Sequence, residues 1–170
     1  MTIFKNEDRP IWAPWRIDFI RGEKDDQCFL CNKKKSKYDC FDEELVIYRE
    51  ELVFVILNRY PYNPGHMLVS PYRHVGDLTQ LSDEEHLAVM KVTAKMQELL
   101  ECVMQPEGFN IGLNTGKSAG AGVEDHLHMH IVPRWNGDNN FMPVLGGNRV
   151  VPEALNATAQ LLREELKKMA

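Results

Sequence analysis

Apolar positions along the middle of this chain keep two different periods, and each change of period marks a change of element. Residues 45–48 and 52–57 are short apolar runs parted by the charged pair Glu50 and Glu51, which predicts two strands joined as a hairpin. A third strand is predicted over residues 67–70, after the Pro64-Gly65 turn. From Ser82 the period lengthens, and Val89, Val92, Met96, Leu99, Leu100 and Val103 recur at the spacing of one helix face. Ser82 and Glu85 read as a capping box, each side chain satisfying an otherwise unpaired amide at the start of that helix. Pro106 with Gly108 ends it. Met90 and Met104 belong, on the same period, to core packing rather than to an adaptable surface. Residues 109–114 and 127–132 predict a fourth and a fifth strand. Residues 152–168 predict a closing helix, with Pro152 in its first turn and Lys167 and Lys168 at its negative end. Strands joined by short turns, with helices on one side, predict an α+β fold.

The predicted fifth strand carries the most informative chemistry. His126, His128 and His130 stand two residues apart, with Leu127, Met129 and Ile131 between them. An extended chain rises roughly 3.3 Å per residue with alternating faces, so the three imidazoles are expected on one face and the apolar residues against the core. A helix would separate them by about 200° per step of two residues. Imidazole has both a neutral nucleophilic form and a charge-stabilising protonated form near neutral pH. One ring can attack while its neighbours donate, which makes His128 the candidate nucleophile and His126 and His130 its supports. A metal-binding face and a chance cluster are the alternatives for the same row.

Composition narrows the classes. The chain has 170 residues, enough for one domain able to bury about 70% of its unfolded surface. It divides into an arm over residues 1–44, a core over 45–135 and a C-terminal extension over 136–170. Hydrophobic residues at 44% and charged residues at 26% describe an ordinary globular protein, and no apolar run approaches the roughly 18 residues of a membrane span. The first ten residues lack the apolar segment of a signal peptide, so a cytoplasmic location is expected. A net charge of −5 disfavours a nonspecific nucleic-acid surface while leaving room for a local phosphate pocket. Lys33, Lys34, Lys35 and Lys37 read as a solvated loop.

Other residues qualify as site candidates by chemistry. Gly120 and Gly122, in the run Ser118-Ala119-Gly120-Ala121-Gly122, can bring backbone amides close to phosphate oxygens, and Asn114 upstream can hold a phosphate or orient an acceptor. Trp135 either stacks at a substrate mouth or covers the core. Arg134 either reaches phosphate or makes a surface ion pair. Cys28 and Cys31 form a Cys-x-x-Cys knuckle, which is half of a zinc site or a reduced pair in a loop. Cys40 and Cys102 read as small apolar residues.

With its apolar spacers, the histidine row resembles the signature of the histidine triad (HIT) family of nucleotide-binding hydrolases and transferases. The block from Asn58-Arg59-Tyr60-Pro61-Tyr62-Asn63-Pro64-Gly65-His66 to His74 and the block Phe109-Asn110-Ile111-Gly112-Leu113-Asn114 agree with it in order and spacing. Within the family the chain is most similar to the bacterial diadenosine tetraphosphate phosphorylase group. That similarity rests on Ala13-Pro14-Trp15-Arg16, the Tyr60 to His66 segment, the Ser118 to Gly122 loop, Pro133-Arg134-Trp135, Gly137-Asp138 and Asn140-Phe141-Met142. The resemblance implies a mainly antiparallel five-stranded sheet with a long helix on one face and a C-terminal helix. It implies that Asn58 contacts ribose and that His66 supports the triad from an adjacent strand, where the residues alone allow a histidine capping the Pro-Gly turn. In zinc-containing relatives the knuckle is completed from positions matching His74 and His126.

The activity implied is nucleotidyl transfer: cleavage of diadenosine tetraphosphate by inorganic phosphate to ATP and ADP, through a nucleotide on His128. The hydrolase branch of the family has a glutamine four residues before the first histidine, where this chain has Gly122. Hydrolysis with water as acceptor, phosphoramidase action and a nucleotide-binding adaptor without catalysis remain the alternatives. Adenine dinucleotide and phosphate are the expected ligands, zinc the expected metal with no organic cofactor, and a homodimer or higher homo-oligomer the expected assembly. No nucleic-acid or membrane partner is expected.

Overall fold

The computed structural model describes residues 28–32, 45–119, 123–138 and 154–169. The N-terminal arm before Cys28, the lysine run, Cys40, Gly120 to Gly122, Asn140 to Met142 and Pro152 lie outside the described residues. A short helix α1, Phe29–Asn32, comes first. Strands β1 (Val46–Arg49), β2 (Val53–Leu57), β3 (Met67–Pro71), β4 (Gly108–Leu113) and β5 (Met129–Arg134) form one sheet in the order β1-β2-β3-β5-β4. Every pairing is antiparallel. The Glu50-Glu51 hairpin is present, closed by the Glu50 amide donating to the Val53 carbonyl at 2.9 Å.

The long helix α2, Asp83–Met104, starts as its capping box requires. The Glu85 amide donates to Ser82 Oγ at 3.3 Å and the Ser82 amide to Glu85 Oε2 at 2.9 Å. Glu85 is buried, and the Arg73 guanidinium 2.6 Å away holds its carboxyl down at about 2. The helix does not end on a glycine. Gln105 takes the left-handed conformation at φ 48°, Pro106 then denies the next turn an amide, and Gly108 opens β4.

Val89, Val92, Met96, Leu99 and Leu100 join the interior of β2, β3 and β5 in one apolar cluster. Met104 packs against that cluster, but Met90 is 56% exposed. One residue beyond Val89, it sits about 100° around the helix from the buried stripe, which corrects the expectation of core packing. Cys102 is exposed as well. Helix α3, Leu155–Lys168, packs on α2 and β1 through Thr158, Ala159 and Leu162, and Arg163 Nη1 donates to the Val46 carbonyl at 3.0 Å. Lys167 and Lys168 occupy its last turn, as expected.

The fifth strand is displaced from its expected position. It starts at Met129 and runs to Arg134, so His126 and His128 precede the ladder and only His130 lies within it. Long-range contacts hold the entering segment instead: the Leu127 amide donates to the Val75 carbonyl at 2.7 Å, Ser70 Oγ to the Leu127 carbonyl at 2.9 Å, and His126 Nε2 to the Pro71 carbonyl at 2.9 Å. Once in the sheet, β5 has β3 on one side and β4 on the other, with His130 opposite both Leu68 and Gly112. A strand paired on both edges is a rigid mount for a functional side chain.

Candidate active site

Three of the histidines, His66, His128 and His130, form one group, and His126 faces a different set of partners. The His128 and His130 rings lie with centroids 5.0 Å apart, and those of His66 and His130 5.1 Å apart. His128 Nδ1 donates to the carbonyl of His126 at 2.8 Å. A carbonyl can only accept, so Nδ1 carries a proton, and in the neutral ring the lone pair is on Nε2.

Backbone geometry fixes the other two rings in turn. His66 Nδ1 receives the main-chain N–H of Tyr62 at 3.0 Å and stands 3.3 Å from the Asn58 amide nitrogen. Nδ1 of His66 is therefore an acceptor, and its proton sits on Nε2, which donates to His130 Nδ1 at 2.9 Å. His130 then carries its own proton on Nε2. That atom is buried and has no hydrogen-bond partner among the described residues. A buried N–H without an acceptor is costly, and beside the His128 ring it is placed to receive an anionic ligand oxygen.

Burial holds the His130 imidazole well below its usual range, at about 4, with the neighbouring His128 adding to the effect. Between about 6.5 and about 4 the unfolded chain therefore binds a proton that the folded chain refuses, so stability rises with pH across this window. Urea unfolding is expected to give midpoints that fall as the pH is lowered from 6.5 to 4, and a flatter dependence in His130→Gln. Equal slopes in the two proteins would show that His130 is not held neutral.

A cleft of about 320 Å³ adjoins this group, lined by Tyr62, Asn110, Gly112, Asn114, His130 and Arg134 among others. Asn114 thus lies where a ligand could meet it. Asn58 is already engaged, its Oδ1 accepting from the Tyr60 amide at 2.9 Å and its Nδ2 directed at His66. Ser118 is exposed in a short 3-10 turn, Lys117–Ala119, and Gly120 and Gly122 lie outside the described residues. Arg134 makes the ion pair, not a free phosphate ligand: Nη2 bonds Asp138 at 2.9 Å, Nε bonds the same carboxylate, and Nη1 bonds Asn110. Trp135 is half-buried, its amide donating to Asp138 Oδ2 at 3.3 Å.

Sequence reasoning assigned no role to Tyr62, Asn63 or Asp138. The Tyr62 ring stacks on His130 with centroids 6.0 Å apart and planes 9° from parallel. Asn63 joins Asp138 across 75 residues of chain, a contact that spacing does not signal, while Asp138 pairs with Arg134 only four residues away.

His126 belongs to a second constellation. Its Nε2 donates to the Pro71 carbonyl at 2.9 Å, which leaves the Nδ1 lone pair 3.4 Å from both Cys28 Sγ and Cys31 Sγ. His74 Nδ1 lies 3.0 Å from Cys31 Sγ, and the four donor atoms are all within 4.8 Å of one another. Tetrahedral zinc with S and N ligands would place those donors roughly 3.6 Å apart. Cys28, Cys31, His74 and His126 therefore fit a divalent metal, with His126 pre-oriented by its other ring nitrogen. Burial pulls the His126 imidazole below its usual range, which favours the neutral, ligating form.

Comparison with known proteins decides the family, since the HIT domain model matches residues 42–137. The chain belongs to the HIT family. A Mycobacterium tuberculosis protein named AP-4-A phosphorylase is 40% identical over 161 residues, covering 91% of this HIT chain and 83% of its own length. The asymmetrical bis(5'-nucleosyl)-tetraphosphatase of Schizosaccharomyces pombe is 38% identical over 93 residues, 55% of this chain and 50% of its own. The crystal structure of a Zn-bound histidine triad family protein from Mycobacterium smegmatis matches at a TM-score of 0.61 and 32% identity, over 74% of this chain and 85% of that one. The antiparallel five-stranded sheet with its helices is the HIT fold. Among the described residues of this HIT chain, no helix is long and apolar enough to cross a membrane.

Proposed function

We propose that this chain is a nucleotidyl transferase that cleaves diadenosine tetraphosphate with inorganic phosphate. The observation that carries the reading is the His128 Nδ1–H held by the His126 carbonyl at 2.8 Å, which leaves Nε2 as an unprotonated nucleophile beside the buried Nε2–H of His130. His128 Nε2 attacks an α-phosphorus, the bond to the bridging oxygen breaks, and ATP leaves with AMP bound to the imidazole. Inorganic phosphate then attacks the same phosphorus, giving ADP and free His128. As charge gathers on the phosphate oxygens, the His130 Nε2–H donates to them, and His66 holds His130 in the tautomer that can do so.

The likeness to the Mycobacterium tuberculosis enzyme favours phosphate as acceptor, as does Gly122, where the hydrolase branch bears glutamine. Asn114 in the cleft binds phosphate in this reading, aided by the Ser118 hydroxyl and by the amides of Gly120 and Gly122. Asn58 meets the ribose on giving up its bond to Tyr60, and Trp135 stacks at the mouth. Zinc is the metal for Cys28, Cys31, His74 and His126, where its role is to tie α1 to the segment that enters β5. A cytoplasmic homo-oligomer acting on adenine dinucleotides completes the proposal.

The Schizosaccharomyces pombe relative supports a second reading, hydrolysis with water in place of phosphate. Incubation of the purified protein with the dinucleotide, with and without phosphate, separates the two. Phosphate-dependent formation of ADP and ATP is expected. AMP and ATP released equally without phosphate would leave the hydrolase in its place.

A further inference from the structure

The His66 to His130 pair depends on a turn that is pinned from elsewhere in the fold. The Asn63 carbonyl accepts from the His66 amide at 3.2 Å, closing the turn that directly follows Tyr62, and the Tyr62 amide holds His66 Nδ1. Asn63 itself is buried at 9% exposure, and its Nδ2 donates to the Pro133 carbonyl at 2.9 Å and to Asp138 Oδ2 at 2.8 Å. Asp138 Oδ2 also receives Arg134 Nε and the Trp135 amide, while Oδ1 receives Arg134 Nη2. One carboxylate thus joins the Tyr62 turn to the far end of the strand that bears His130.

We propose that Asp138, acting through Asn63, is a positioning residue for the proton arrangement of His66 and His130. It touches no substrate in this reading. Its contribution is to keep the Tyr62 amide aimed at His66 Nδ1, which obliges His66 to protonate on Nε2 and His130 to present its own Nε2–H to the ligand. With Asp138 replaced, Asn63 keeps its bond to Pro133 and loses its charged acceptor. The turn then relaxes, and the other His66 tautomer, with Nδ1 protonated, gains population. The catalytic consequence rests on the proposed role of His130 as donor; the tautomer itself does not.

The test is nitrogen-15 NMR of the histidine rings in the full-length protein, with Asp138→Asn, Asn63→Ala and Asp138→Glu compared with the unaltered chain alongside kcat and KM. A protonated Nε2 and bare Nδ1 are expected for His66 in the unaltered chain. In Asp138→Asn and Asn63→Ala a protonated Nδ1 should appear, with kcat lowered about tenfold or more and KM changed little, as expected for a displaced catalytic group. Asp138→Glu should restore part of both. If Asp138→Asn does not fold, Asn63→Ala with its intact charges carries the comparison. An unchanged His66 tautomer in the variants overturns the proposal, whatever turnover does. A shifted tautomer with unchanged kcat upholds the positioning role and instead removes His130 as the donor.

Discussion

His128→Asn is expected to lower turnover by about 10⁴-fold or more, the scale on which enzymes lose rate when their nucleophile is deleted. Asparagine preserves an N–H that can still donate to the His126 carbonyl, so the local fold is retained while the ring nitrogen that would bond phosphorus is gone. Nucleotide affinity, measured by calorimetry on the variant, should stay within about threefold, because the cleft and His130 are untouched. Rapid quench of the unaltered enzyme should capture the nucleotide on His128. A variant that turns over normally, or a nucleotide trapped on another side chain, would remove the central residue from the mechanism. Full turnover loss together with lost binding would instead favour a structural role for His128.

Removal of the metal should have the second large effect. A ligand that binds only the folded state at a thousand times its Kd adds about 4 kcal/mol. For a chain of this length that corresponds to roughly 10 °C in Tm. Elemental analysis is expected to find one zinc per chain, and chelation or Cys31→Ser to lower Tm on that scale. Activity should fall too, since the His126 that would hold the metal through Nδ1 also supplies the carbonyl that sets the His128 tautomer. A protein without metal, equally stable with and without chelator, would reduce the four residues to a hydrogen-bonded cluster.

Much of the fold was legible in local pattern. The Glu50-Glu51 hairpin, the capping box at Ser82 and the buried face of α2 depend on residues a few positions apart, and periodicity reads such relations directly. Exposure of Met90 was open to the same periodicity, which puts it about 100° around the helix from the buried stripe, and its apolar side chain was the misleading signal. The start of β5 was also misplaced by two residues. Alternation continues through His126 and His128, but β3 and β4 offer partners only from Met129 onward.

For the site, the sequence by itself determined the inventory: a row of imidazoles, a Cys-x-x-Cys knuckle and the neighbouring asparagines. Tertiary structure alone decided the division of labour among them. His126 lies 98 residues from Cys28 along the chain and His66 64 residues from His130, yet in each case the contact governs how the ring is used. An imidazole's proton goes where its strongest partner requires. For His66 that partner is a backbone amide in a turn pinned by Asp138, and for His128 it is the carbonyl of a histidine turned toward two thiols. Identical side chains at identical spacing thus acquire different chemistry because folding gives each a different neighbour.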